Sequence, residues 1–145
     1  MSKDFSPDRI LDTIEEEKIT TAVFGSNYLN QLMNSPMIDK CDLRSLRRVA
    51  VTGAPLPEEA WKKAIQRFGN IFVHTYGLSE VAAITCMPAY NVVVEDLHGR
   101  EATIHFCGKE TQYKEIRIVH EEGKPVTDGE IGDTIVNRMA FIVGY

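Results

Sequence analysis

The feature that most constrains the fold of this chain is an alternation of strand-like and helix-like segments across residues 19–75. Short runs rich in β-branched residues predict three strands, at residues 19–24, 48–52 and 71–75. Between the last two, apolar residues recur at i, i+3, i+4 and i+7 from Trp61 to Phe68, which predicts a helix. A shorter helical segment around Leu29 and Leu32 separates the first two. This β-α-β-α-β order predicts a parallel sheet joined by right-handed crossovers.

From about residue 91 the pattern changes to short strands and turns without helical periodicity. The predicted strands of this second part lie at residues 92–94, 102–105, 115–119 and 134–136. We therefore expect an α/β fold, with a parallel βαβαβ unit followed by a smaller, mostly antiparallel β unit. The expected division is at residues 1–90 and 91–145.

Charge and hydropathy narrow the class of protein. The 145 residues include 16 Lys and Arg against 21 Asp and Glu, a net charge of −5, which disfavours binding to a nucleic-acid backbone. No apolar run approaches the roughly 20 residues that span a bilayer. The N-terminus lacks the basic and apolar regions of a secretory signal. We expect a soluble, cytoplasmic protein without a membrane span.

The thiols and imidazoles do not form a recognisable metal motif. Cys41, Cys86 and Cys107 are odd in number and contain no Cys-x-x-Cys pair, so reduced thiols are expected. His105 and Cys107 supply two potential ligands, fewer than a zinc site requires. We expect no structural metal.

Two loops follow predicted parallel strands and should therefore leave the same edge of the sheet. Residues 53–55 follow the second strand and residues 76–80 follow the third. Tyr76 offers a flat ring, Ser79 a hydroxyl and Glu80 a hard oxygen ligand, which together suit a nucleotide with its cation. The pattern alone leaves open an ordinary turn followed by a helix start. No glycine-rich phosphate-loop motif is present in the chain.

Four segments in the same order resemble motifs of the adenylate-forming superfamily, which includes acyl-CoA synthetases, peptide-synthetase adenylation domains and firefly luciferases. Residues 76–80 (YGLSE) resemble its Tyr-Gly-x-Ser/Thr-Glu motif, and residues 46–57 (LRRVAVTGAPLP) resemble its strand and Gly-Ala-Ala/Pro-Leu loop. Residues 108–119 and 129–136 are similar to its Gly-Lys-Pro…Val-x-Ile-Val-Asp and Gly-Glu-x-Gly-Glu segments. The resemblance covers most of the chain and makes the nucleotide cleft the favoured interpretation.

The resemblance implies ATP-dependent activation of a carboxylic acid to an acyl-adenylate, then transfer to a thiol such as coenzyme A. It implies that Tyr76 stacks on adenine and that the backbone of Gly53, Ala54 and Pro55 lines the adenine pocket. Gly53 and Gly77 would permit a positive φ or a close backbone approach.

Further roles follow from the same resemblance. Ser79 would hydrogen-bond the α-phosphate and Glu80 would bind Mg²⁺. His74 occupies a position where the family often has Asn or Gln facing the adenine amine; a histidine could accept through a ring nitrogen or simply pack. Tyr28 lies where an aromatic residue often approaches the acyl site, although a tyrosine on a short helix is more often part of a core.

The resemblance also identifies what the chain lacks. The family's phosphate loop, ribose-binding Asp, hinge and catalytic Lys have no counterpart here, so we expect an internal piece of a larger N-terminal domain. Such a piece should be inactive alone, and an exposed apolar surface should favour self-association. The favoured function is that of an AMP-forming acid–CoA ligase. The alternatives are an adenylation domain that loads a carrier-protein thiol and a non-catalytic nucleotide-binding module.

Overall fold

The computed structural model describes residues 6–87, 107–112 and 114–138. Helices and strands alternate up to β3, and the described residues after it contain strands alone. The elements are α1 (Pro7–Glu16), β1 (Thr21–Gly25), α2 (Ser26–Met33), β2 (Arg48–Thr52), α3 (Glu58–Phe68), β3 (Phe72–Leu78), β4 (Ala82–Met87), β5 (Lys109–Glu110), β6 (Lys114–Val119) and β7 (Asp133–Arg138).

In the part of the chain that the structure describes, the main sheet has five strands in the order β1-β2-β3-β4-β5. Strand β2 pairs in parallel with both β1 and β3, which confirms the predicted parallel unit. Strand β4 returns antiparallel to β3, and the short β5 pairs antiparallel with β4. The carboxyl ends of β1, β2 and β3 therefore lie at one edge of the sheet.

Helices α2 and α3 pack on the same face of this sheet and enclose the core. Trp61 of α3 is 1% exposed and meets the ring of Phe72 edge-to-face, with centroids 5.7 Å apart. Residues on β2 alternate in burial, with Val49 and Val51 facing the helices. On the opposite face of the sheet, Val23 is 68% exposed. The helical period around Trp61 therefore predicted the covered face correctly.

The third strand is longer than the sequence indicated. It was predicted to stop at residue 75, but β3 continues through Tyr76 and Gly77 to Leu78 and forms a hairpin with β4, which the sequence analysis missed. The register of the hairpin shifts between Tyr76 and Gly77. A Cβ at Gly77 would lie 1.9 Å from the Ala82 carbonyl oxygen. Glycine thus permits the close approach of two strands here, where a turn was predicted.

The second sheet, as far as the described residues show, contains β6 and β7, paired antiparallel from Lys114↔Arg138 to Val119↔Asp133. These strands confirm the predicted segments at residues 115–119 and 134–136. The predicted strands at 92–94 and 102–105, and the expected division between residues 90 and 91, lie outside the described residues. In the described parts of the chain, no helix has the length and hydrophobicity to cross a bilayer.

Candidate nucleotide site

Loop 53–55 follows the central parallel strand and lies exposed at the carboxyl edge of the sheet. Gly53 adopts a φ of +90°, a region that side chains other than glycine rarely occupy. This confirms the expected conformational role of Gly53. Leu56, which is 4% exposed, anchors the chain just beyond Pro55. Residues 53–55 are therefore exposed, and the buried Leu56 follows them directly.

Ser26, at the end of the neighbouring strand β1, forms a hydrogen bond to this loop. The sequence analysis did not identify Ser26 as a site residue. The residue follows β1 directly and is 2% exposed. Its hydroxyl donates to the carbonyl oxygen of Ala54, and its oxygen also lies 3.4 Å from the Thr52 carbonyl. The only signal in the sequence was a small polar residue at the end of a predicted strand.

His74 lies on β3 beneath loop 53–55 and faces the helical layer. It is 9% exposed, and its ring meets Trp61 edge-to-face with centroids 5.8 Å apart. Burial lowers the pKa of His74, and a backbone hydrogen bond with Ala54 opposes this effect in part. Its Nδ1 atom is buried and makes no hydrogen bond with the residues that the structure describes. The imidazole is therefore neutral near pH 7.

Tyr76 lies two residues further along β3 and is 39% exposed, so the side chain is partly accessible to a ligand. Beyond it, Ser79 and Glu80 lie exposed in the turn between β3 and β4. Strand β3 runs four residues past His74 to Leu78, about 13 Å at the usual rise per residue. Tyr76 and loop 53–55 thus lie on neighbouring strands at the same edge of the sheet. Ser79 and Glu80 lie further along, beyond the end of β3.

Tyr28 lies at the same edge, in the first turns of α2. Its ring packs on Gly25, since a Cβ at that glycine would lie 3.3 Å from the ring. With 47% of its surface exposed, Tyr28 is not a core residue. The ends of β1, β2 and β3 therefore each carry one part of the predicted site.

The carboxylate at Glu80 suits a magnesium ion held partly by a nucleotide. Within residues 6–87, 107–112 and 114–138, no group of three or more His, Cys, Asp or Glu side chains could hold a metal ion. Mg²⁺ usually takes one or two protein carboxylates, with substrate phosphates and water completing its shell. A single exposed glutamate beside Ser79 fits that donor set.

Comparison with known proteins identifies the family. The family model for AMP-binding enzymes matches residues 1–145. The medium/long-chain-fatty-acid–CoA ligase FadD8 of Mycobacterium tuberculosis is 30% identical over 141 residues, covering 97% of this chain and 24% of that protein. A feruloyl-CoA synthase of Amycolatopsis is 30% identical over 142 residues, covering 97% and 27%. The chain thus spans about a quarter of the length of these curated relatives.

Solved structures agree with the sequence comparison. The amide bond synthetase McbA from Marinactinospora thermotolerans superposes with a TM-score of 0.82 at 29% identity, over 97% of this chain and 27% of that one. A luciferase-like enzyme from the mealworm Zophobas morio gives a TM-score of 0.81 at 26% identity, over 99% and 33%. The curated relatives include several acyl-CoA ligases. Because the family model matches its whole length, this chain belongs to the AMP-binding enzymes.

Proposed function

We propose that the chain forms the base-binding part of an AMP-forming acid–CoA ligase. The complete protein would activate a carboxylic acid with ATP, release pyrophosphate and transfer the acyl group from the adenylate to coenzyme A. The observation that carries the proposal is that loop 53–55 and Tyr76 lie at one edge of a parallel sheet, where ligands of such sheets bind. The family match supports the same function.

The site would hold the nucleotide in an extended form. The exposed side of Tyr76 would stack on adenine, while the backbone of Gly53, Ala54 and Pro55 would form the adjoining wall. Ser79 and Glu80 lie further out along the same edge, as the phosphates of a nucleotide lie away from its base. Gly77 keeps β3 and β4 close enough to fix that turn.

Ser79 and Glu80 would act where charge accumulates. Attack of a carboxylate on a polyphosphate brings like charges together, so donors and positive charge at the α-phosphorus lower the barrier. The Ser79 hydroxyl would donate to the α-phosphate, and Glu80 would hold Mg²⁺. Magnesium supplies positive charge that neutralises the phosphate oxygens during transfer. Both residues are exposed in the turn after β3.

The acid and the acceptor are proposed from the relatives. FadD8, the feruloyl-CoA synthase and an indoleacetate–CoA ligase of Aromatoleum aromaticum all carry names of enzymes that form CoA thioesters. Tyr28, half exposed at the end of β1, would line the acyl pocket of this chain. A cytoplasmic location, where ATP and coenzyme A are available, remains a prediction.

The test is ATP–pyrophosphate exchange by the complete protein that carries this chain, measured with a panel of fatty and aromatic acids. We expect exchange that depends on the acid, and acyl-CoA with AMP once coenzyme A is added. Exchange without acyl-CoA would favour the carrier-protein alternative. ATP binding without exchange would favour the non-catalytic module, and the absence of both would contradict the proposal.

The 145-residue chain alone is expected to give no exchange. Its groups provide one side of a cleft, and positioning across a complete cleft contributes roughly 7–11 kcal/mol to lowering a barrier. Acid-dependent exchange by the isolated chain would show that the missing side is not required.

A further inference from the structure

Two side chains from the segment between β5 and β6 bind the backbone of strand β4. The Thr111 hydroxyl donates to the Ala83 carbonyl oxygen, 2.9 Å away, and the Lys114 ammonium group donates to the same oxygen. A carbonyl oxygen has two lone pairs and can accept both hydrogen bonds. The backbone amide of Thr111 donates to the Ile84 carbonyl oxygen, 3.0 Å away. Thr111 and Lys114, the β4 clamp, thus hold two consecutive peptide groups.

The β4 clamp begins where the backbone pairing of β4 and β5 ends. Strand β5 has only two residues, which pair with Thr85 and Cys86. Beyond them the chain turns, as the Lys114 amide donates to the Thr111 carbonyl oxygen 3.2 Å away, and β6 follows. A backbone carbonyl inside a protein requires a donor. At Ala83 the donors of the β4 clamp are side chains instead of a paired strand.

The clamped carbonyl lies next to a strained residue. Ala82, the first residue of β4, has a φ of +53°, a left-handed conformation that alanine rarely adopts. Such a conformation persists only where the surrounding structure holds it. Ala83 itself pairs with Gly77 across the hairpin. Contacts that fix Ala83 therefore also fix the path of the chain as it leaves the turn at residues 79–81.

We propose that Thr111 and Lys114 are positioning residues, which hold β4 and thereby keep the 79–81 turn in place for the phosphates and Mg²⁺ of a bound nucleotide. The functional half of this inference rests on the proposed roles of Ser79 and Glu80, whereas the contacts to Ala83 do not. Neither clamp residue needs to touch the nucleotide, because both act on the backbone of β4. Strand β6 begins at Lys114, so the same contacts tie the second sheet to the hairpin.

Hydrogen exchange without nucleotide tests the β4 clamp itself. In the complete protein, Thr111→Val keeps the side-chain shape and removes the hydroxyl, and Lys114→Met keeps an unbranched stem and removes the ammonium group. Each should speed exchange of the backbone amides of residues 81–85 about threefold to tenfold, as expected for one lost hydrogen bond. Thr111→Ser, which retains the hydroxyl, should exchange like wild type. Unchanged exchange in both Thr111→Val and Lys114→Met would overturn the proposal.

Turnover tests the positioning role. In acid-dependent ATP–pyrophosphate exchange, Thr111→Val and Lys114→Met should lower kcat roughly tenfold to 100-fold, because a displacement of about 1 Å at a reacting site has effects of this size. Each should also raise the Mg²⁺ concentration for half-maximal rate about threefold to tenfold and change KM for the acid less than twofold. A loss of stability alone would not move the Mg²⁺ requirement.

Thr13→Val and Lys63→Met are the matched controls. The Thr13 hydroxyl donates to the Arg9 carbonyl oxygen, 2.7 Å away in α1, and the Lys63 ammonium group donates to the side-chain oxygen of Asn34, 2.9 Å away at the end of α2. Both contacts lie in the helical layer, away from the β3–β4 hairpin. The controls should leave the Mg²⁺ requirement and the hairpin exchange unchanged, and an equal effect in a control would overturn the proposal.

The two assays together separate the possible failures. If the clamp variants speed amide exchange but leave kcat and the Mg²⁺ requirement as in wild type, the positioning role is overturned. If they speed amide exchange and the wild-type protein shows no use of ATP, the proposed function fails and the contacts to Ala83 stand. Should Lys114→Met not fold, Thr111→Val decides the outcome, since it removes a single hydroxyl.

Discussion

Substitution of Gly77 by alanine should open the β3–β4 hairpin that carries Ser79 and Glu80. The added Cβ would lie 1.9 Å from the carbonyl oxygen of Ala82 and 2.6 Å from its carbonyl carbon. Both are backbone atoms, so rotation of a side chain cannot relieve the collision and the paired strands must move apart. We expect the free energy of unfolding to fall by about 1–3 kcal/mol, as for other substitutions that overfill a packed site.

Urea denaturation followed by fluorescence measures this loss, because Trp61 is the single tryptophan of the chain and packs against β3. Gly132→Ala is the matched control. Its Cβ would lie 2.5 Å from the Val119 carbonyl oxygen, a similar backbone collision just before β7 of the second sheet. The two variants should lose comparable stability.

Activity should separate the two variants. In the complete protein, displacement of the 79–81 turn by about 1 Å can reduce turnover roughly 100-fold, so Gly77→Ala should lose far more pyrophosphate exchange than Gly132→Ala. A loss of stability below about 0.5 kcal/mol for Gly77→Ala, the usual range for a neutral surface change, would refute the steric reasoning. Equal exchange in both variants would refute the role of the turn.

Three other perturbations test separate parts of the structure. Glu80→Gln in the complete protein keeps the side-chain volume and removes the charge, so acid-dependent ATP–pyrophosphate exchange should fall, mainly through kcat. Exchange rates within twofold of wild type would show that Glu80 has no part in the mechanism. Burial lowers the pKa of His74 from its usual 6.5, so the unfolded chain binds the proton at a higher pH than the folded chain. The free energy of unfolding should therefore decrease as the pH falls from about 7 to about 5, and His74→Phe should flatten this slope. An unchanged slope in urea titrations of the variant would contradict the lowered pKa of His74. Val23 is 68% exposed on the face of the sheet opposite the helices, so the 145-residue chain should self-associate. Sedimentation velocity should show this association, and Val23→Lys should reduce it. A monomeric wild-type chain would contradict the prediction.

The parallel unit could be predicted because its signals are local. The residues that form the buried face of α3 recur at helical spacing within one segment, and Trp61 and Ala64 are among the least exposed residues of the fold. The β-branched runs were equally clear, and β1 and β2 formed close to the predicted residues, while β3 began near its predicted start and ran on to Leu78. Local periodicity carries this information because one face of each element must be buried.

The hairpin and the supports of loop 53–55 could not be predicted because their causes are tertiary. Gly77 is required by the backbone of Ala82, which reaches it only after the chain has turned back. The partner of the Ser26 hydroxyl lies 28 residues further along the chain. Nothing in the sequence next to Ser26 indicates that partner. The candidate site itself came from the resemblance of residues 76–80 and 46–57 to known motifs, and not from spacing alone.

Photolabelling of the complete protein with ATP that carries an azide on the adenine ring tests most directly whether loop 53–55 and Tyr76 form the base pocket. After trypsin cleavage, these residues fall in different peptides, 49–62 and 68–100. We predict that both peptides are labelled and that excess unmodified ATP abolishes the labelling. Labelling confined to other peptides, or labelling that ATP does not suppress, would contradict the proposed site.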